Sequence, residues 1–426
     1  MIQIYIFYVI IENIGELMKR LFRIGSGLFI YSIIPILSWI VLSYVLGDNR
    51  ISNVFSITYA IQFIWSILKY LFGSGANIRK EKENNKNSVW NSIFWGTIFS
   101  ALIFAIPLIF VDKYITFFGQ DVEFYRIYVI YGIALLFLQT LFSFIIEKLY
   151  FEDKEKTANI HLFAFNLTTF SVLILSSLII PNTLIALLLT LGVLLIYIIC
   201  LYVWQFEKFK IDFTFFKNFK YESANIVSSM FMLVIYLFGF KIAFSAGAEY
   251  LAALNIIGLC TDAQRDMLGA ISTVAKVDIS KNRYDYKKEV KNAYVYSSVV
   301  IASSIIMSII LSVVNKVVIE IAIVYLAFQV LDMLLHPYNS ILSIYTQLEY
   351  SATLNTIISF TLKGFRTLLS VIILSPYCTE IGQLLQGTLA FIIFAIIRIA
   401  KYKVVDNKLI VKNKNLITEN NKKTLS

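Results

Sequence analysis

The sequence predicts an all-α polytopic membrane protein, with twelve transmembrane helices in two six-helix halves around a central cavity. Three observations carry that reading. Of the 426 residues, 58% are hydrophobic and only 15% charged, and the mean hydropathy is +0.75. Soluble domains run at roughly 45–50% apolar and about 25% charged. Next, twelve mostly apolar runs follow one another along the chain, each of about 20 residues or more, the length that crosses a hydrocarbon core of roughly 30 Å. Last, the two halves of the chain repeat one pattern. A polar-coated globule, a disordered chain and a secreted disulfide scaffold are excluded. For the last, Cys200, Cys260 and Cys378 are few, odd in number and set in apolar runs.

The runs lie near 24–46, 52–77, 90–111, 122–146, 158–180, 183–205, 223–245, 250–277, 293–314, 318–346, 352–375 and 380–400. Helices are required, because backbone groups in lipid must be satisfied within their own segment. The runs are too long and too continuously apolar for barrel strands. Residues 1–18 form an N-terminal extension. Its apolar part is too short to span and has no basic front or small-residue cleavage site, so it is no signal peptide. Met18-Lys19-Arg20 makes a better beginning, and a misplaced start is expected. The first half occupies 19–206. Its first span holds Pro35, an expected helix bend, flanked by Ser32 and Ser38. Its second holds Gln62 near the middle and Gly73, Ser74, Gly75 and Ala76 near the inner end; Gln139 lies in the fourth. Residues 207–222 link the halves on the cytoplasmic side. The second half occupies 223–402, and 403–426 is a basic cytoplasmic tail, rich in Lys and Asn, suited to anionic lipid.

The connections alternate in charge. Arg79, Lys80, Lys82 and Lys86 follow the second span. Lys148, Lys154 and Lys156 follow the fourth, and Lys208, Lys210, Lys217 and Lys220 the sixth. Lys281, Arg283, Lys287, Lys288 and Lys291 follow the eighth. Against these sixteen, the loops after the odd-numbered spans hold only Arg50, Lys113 and Lys316. The positive-inside rule then places the basic loops and both termini in the cytoplasm, with the chain in the inner or plasma membrane. The net charge of +10 is mostly this topology signal. Because it is spread over separate short loops, nucleic acid is not an expected partner; the bilayer and a small organic or lipid-linked substrate are, for a monomer.

An offset of 200 residues lays the second span and its loop, from Ile51, on the segment from Leu251. Gln62 stands opposite Asp262, and the small residues of span 2 opposite Ser272, Thr273, Val274 and Ala275. Two halves of one orientation, with the binding site at their interface, recur in secondary transporters. The segment KRLFRIGSGLFIYSIIPILSWIVLSYVLG, from Lys19, resembles the opening of a MATE-type exporter of the MOP flippase superfamily. Ile115–Phe137, with its Gly-x-Asp turn before a Tyr-rich helix, is similar to that family's link between spans 3 and 4. Phe151–Ile180, with Asp153, Lys154 and Asn166, and Gly247–Gly258 resemble its fifth span and the start of its eighth. The likeness covers residues 19–300 best; afterwards Asn315-Lys316 replaces the family's turn between spans 9 and 10. The resemblance implies alternating access, export of drugs or other amphipathic organic cations, and Na⁺ or H⁺ as driver.

Intramembrane charges are functional candidates by default. Span 8 holds Asp262, Gln264, Arg265 and Asp266. The two acids, four apart, share a helix face, and Arg265 can neutralise Asp262. Either a carboxylate there couples to an ion, or the pair is structural. Asp262→Asn is expected to abolish coupled efflux, measured in vesicles, while leaving the protein folded. Asp332 and His336 in span 10 are again four apart, a candidate proton relay beside a second expected bend at Pro337. Asp262, Asp266, Asp332 and His336 are therefore the ion-coupling candidates. The substrate-cavity candidates are Gln62, Gln139, Gln264, Arg265, Lys241, Lys363 and Arg366. Lys241, Lys363 and Arg366 suit an anionic substrate and support a second reading, a flippase of lipid-linked oligosaccharide for polysaccharide export. No metal site, cofactor or catalytic group is expected. The outside loops are about ten residues or fewer and carry no reactive constellation, which argues against an enzyme.

Overall fold

A computed structural model describes residues 15–253, 259–314, 317–372, 375 and 377–399. Residues 1–14 of the N-terminal extension and the basic tail 403–426 lie outside that range, whereas Met18, the expected start, lies within it. Twelve membrane helices are formed. Those of the first half are α1 (Glu16–Leu46), α2 (Asn49–Glu83), α3 (Ser88–Ile109), α4 (Val122–Phe151), α5 (Glu155–Ile179) and α6 (Thr183–Gln205). Those of the second are α7 (Phe219–Ala246), α8 (Leu259–Ser280), α9 (Tyr286–Val314), α10 (Ile319–Tyr345), α11 (Ala352–Ile372) and α12 (Cys378–Ile397). By length and composition ten of these segments are apolar enough to span among the described residues. The other two, α8 and α11, are long enough but diluted by the charges the sequence singles out.

Local chemistry sets the ends. Gly47, at φ +69°, closes α1 in the left-handed region that glycine enters freely. In the Gly-x-Asp turn, Gly119 takes φ +70°, and the Asp121 carboxylate caps α4 by accepting from the backbone of Glu123 at 3.0 Å. Pro35 and Pro337 both sit inside continuous helices. The second span is not uniform. It turns at Ala60–Ile61 and widens into a π-helical turn over Lys69–Ser74, of the kind that often marks function.

The halves interlock reciprocally: α1 lies along α8, and α7 lies along α2. Outward faces are greasy, as with Leu188, Ile196 and Ile199 on α6, which suits lipid contact. The basic loops meet at one end of the bundle. There Asn87 donates to the Lys210 carbonyl at 2.9 Å, and Lys281 reaches Asp153 at 2.7 Å. At the other end Tyr125 donates to the Arg50 carbonyl, and Arg126 pairs with Asp112 at 3.2 Å.

Candidate functional site

Two abutting chambers are formed, one between the halves and one within the second half. The first, about 290 Å³, is walled by α1, α2, α4, α7 and α8, with Lys363 of α11. The second, about 280 Å³, lies inside the second half among α7, α8, α10, α11 and α12. Ser228, Met232, Arg265 and Lys363 belong to both walls. Each volume alone is at the low end for a ligand pocket, roughly 300–1,000 Å³; the pair together is not.

The two chambers differ in chemistry. The first is aromatic, with Tyr31, Tyr59, Phe63, Trp65 and Tyr236 in its wall; Phe63 stacks on Tyr236 at 5.1 Å. Gln62, Gln139 and Pro35 also line it. Its acid is Asp266 of α8, which accepts a hydrogen bond from Ser32 of α1 at 2.5 Å, a tie across the halves. The second chamber carries Asp332, His336, Arg265, Lys363 and Arg366. Asp332 accepts from Arg265 at 3.2 Å and from Gln383 at 2.8 Å. Arg265 also donates to Gln329. Helical spacing explains the convergence: Asp332 and His336, one turn apart on α10, lie on the face turned to α8 and α12.

Not every expected residue belongs to these walls. Lys241 is exposed on α7, its ammonium 4.3 Å from the centre of the Phe117 ring, and lines neither chamber. The expectation of a cavity lysine there is corrected; a cation on a helix reads the same in sequence whichever face it occupies. Gln264 is buried beside Arg265 but lines neither chamber. Asp262 lies on α8, but its side chain falls outside the described residues. Sequence reasoning missed a deeper layer of charge near the basic end. Lys69 pairs with Glu147 at 3.0 Å and Lys276 with Glu222 at 2.7 Å, both acids nearly fully buried. Ser74, one of the small residues of the repeat, donates to Glu222 across the α2–α7 seam. The signal was present as two acids inside apolar helix ends, Glu147 and Glu222.

A twelve-helix bundle whose halves enclose polar chambers is the architecture of a membrane transporter. The particular fold is that of the MATE-type transporters. A multidrug resistance MATE family transporter of the MOP superfamily, solved outward-facing, matches at a TM-score of 0.68 with 15% identity, covering 92% of this chain and 97% of that one. A variant of the Vibrio cholerae MATE transporter VcmN matches at 0.66 with 12% identity, covering 90% and 98%. A MATE transporter in its straight conformation matches at 0.65 with 17% identity, covering 91% and 98%. No family model matches the sequence, and no curated protein is significantly similar to it.

Proposed function

We propose that this protein is a secondary exporter of amphipathic organic compounds that works by alternating access and is driven by Na⁺ or H⁺. The observation that carries the reading is the pair of abutting chambers, one between the halves and one within the second, each with an acid in its wall. An aromatic chamber suits the apolar body of a solute, and a charged one suits its polar end. The two acids are tied to partners that a cation would release. Neutralising Asp266 weakens its hold on Ser32 of the other half. Neutralising Asp332 weakens its hold on Arg265, which stands on the divide between the chambers. Ion entry would thereby change both the seam and the divide, which is what coupling requires.

The test is flux in reconstituted vesicles under an imposed pH or Na⁺ gradient, with two probes, ethidium and a fluorescent farnesyl diphosphate analogue. Gradient-driven movement of at least one is expected. Asp266→Asn is expected to slow it about tenfold, the effect of losing one charge-assisted contact worth about 1.4 kcal/mol, with the unfolding midpoint preserved. Movement of neither probe would overturn the exporter reading. Unchanged coupling in both Asp266→Asn and Asp332→Asn would remove these acids from it.

A further inference from the structure

Among the described residues four lysines and arginines are buried: Arg79, Lys148, Lys276 and Arg366. Three meet a carboxylate. Arg79 meets Glu83 at 2.9 Å, Lys148 meets Glu152 and Glu207 at 2.8 Å each, and Lys276 meets Glu222 at 2.7 Å. Arg366 is the exception. It is 1% exposed, and its guanidinium faces the Met232 sulfur at 3.4 Å and donates to the Thr379 carbonyl and Gln383 Oε1 at 3.1 Å each. All three are neutral, and Nε has no partner.

One turn earlier on the same face of α11, Lys363 brings its ammonium to 3.5 Å from the same sulfur. Neither cation has a carboxylate within 4.0 Å among the described residues. Asp332, the acid in that chamber's wall, is already engaged by Arg265 and Gln383. His336, in the same wall, has its Nε2 unpartnered. A buried charge is unfavourable unless it is paired. Among the described residues the chain pairs its other three buried cations internally but leaves Arg366, with the half-buried Lys363 one turn away, beside an open chamber, so the counter-charge is best brought by a ligand. An organic cation would meet two like charges there, whereas a phosphate matches the planar fork of an arginine beside the point charge of a lysine.

We propose that Lys363 and Arg366, with Arg265 on the divide, form a subsite for the phosphate or diphosphate end of an amphiphile whose apolar part lies in the aromatic chamber. This rests on the reading of the two chambers as the transport path, and it sets the charge of the cargo. Lys363 stands on both walls, so a ligand held by it reaches the aromatic side without leaving the anion subsite.

The test is equilibrium binding to the purified full chain, followed by intrinsic fluorescence, with farnesyl diphosphate, inorganic pyrophosphate, farnesol and ethidium as probes. Farnesyl diphosphate is expected to bind more tightly than farnesol. Lys363→Gln is expected to weaken it about tenfold to a hundredfold, the range for losing a charged contact, and Lys363→Arg to keep it. Arg366→Gln is expected to do the same; because Arg366 also joins α11 to α12, Lys363→Gln decides if that variant fails to fold. Farnesol binding as tightly as its diphosphate, or Lys363→Gln binding like the wild type, would overturn the subsite. Pyrophosphate matching farnesyl diphosphate supports it with a water-soluble source; a large preference for the farnesyl compound supports it with a lipid-anchored one. Diphosphate binding without flux of either probe removes the exporter reading and leaves the subsite. Ethidium flux without diphosphate binding does the reverse.

Discussion

Gly25→Ala is expected to destabilise the folded protein by about 2–6 kcal/mol, read as a lower thermal unfolding midpoint of the purified chain. Gly25 lies on α1, in the first half, where that helix crosses α8 and α9 of the second. A methyl group there would overlap the Tyr296 hydroxyl and stand 3.2 Å from the Met267 carbonyl oxygen. Tyr296 has nowhere to retreat. It is fully buried, packs edge-on against Phe22 at 5.0 Å, and donates its hydroxyl to the Met267 carbonyl at 2.9 Å. Displacing it leaves a buried donor and acceptor unmatched, about 1–3 kcal/mol. The extra carbon in a filled seam adds about 1–3 kcal/mol more. The glycine thus fixes how closely the halves approach. Tyr296→Phe removes the overlapping atom, so combining it with Gly25→Ala is expected to recover part of the loss. A midpoint unchanged by Gly25→Ala would mean that the seam yields. A double variant no better than the single would put the obstacle in the backbone of α8.

Helix number, order and ends were legible because lipid makes them a one-dimensional problem: apolar length, loop charge and turn residues. The Gly119-Gln120-Asp121 turn is an example, since a left-handed glycine and a capping carboxylate need no distant partner. The site was legible only as a list of expensive residues. Lys241 and Lys363 look alike in sequence, each a lysine in an apolar helix. One lies under Phe117 and the other on the divide between chambers, because helix rotation is set by neighbours remote in sequence. The Arg265–Asp332 pair joins α8 to α10, and spacing within one helix cannot foresee it. The aromatic chamber was hidden for another reason. With 15% aromatic residues throughout, Tyr59 or Tyr236 carries no signal until the fold gathers them. The basic loop residues were read for orientation alone, although Lys281 and Arg283 also hold the halves together.

That last role gives the second large effect. At the basic end, among the described residues, ion pairs to three acids cross between the halves. Asp153 accepts from Lys281 at 2.7 Å and from Arg283 at 2.5 Å; Arg20 donates to Asp278 at 2.9 Å; Lys82 meets Glu349 at 2.5 Å. They are not equal. Asp153 and Lys82 are partly exposed, and such pairs contribute roughly 0–1 kcal/mol each. Arg20 and Asp278 are largely buried. Arg20 keeps Glu155 at 2.8 Å when Asp278 is lost, so Asp278→Asn is expected to weaken closure by about 1–3 kcal/mol, below the full loss of a buried pair. Asp153→Asn is expected to do less. It is a clean comparison, because position 153 sits at φ +59°, which asparagine also tolerates. With the three native cysteines replaced, Ser343→Cys in the second chamber's wall reports opening to a thiol reagent added from the basic side. Labelling is expected to rise about tenfold or more in Asp278→Asn and only slightly in Asp153→Asn; equal rates in all three chains would mean that the ties do not close this end. The Asp153 tie is also indifferent to ordinary pH. Burial raises the Asp153 carboxyl, but hydrogen bonds from Arg283 and Lys281 outweigh it and hold it at about 2. A lowered carboxylate gives its full contribution above its ordinary value of 3.8 and loses it only as pH falls through about 2. The difference in labelling between the wild type and Asp153→Asn is therefore expected to stay constant between about pH 5 and 8, and a difference that changes steeply in that range would make Asp153 a proton-sensitive group.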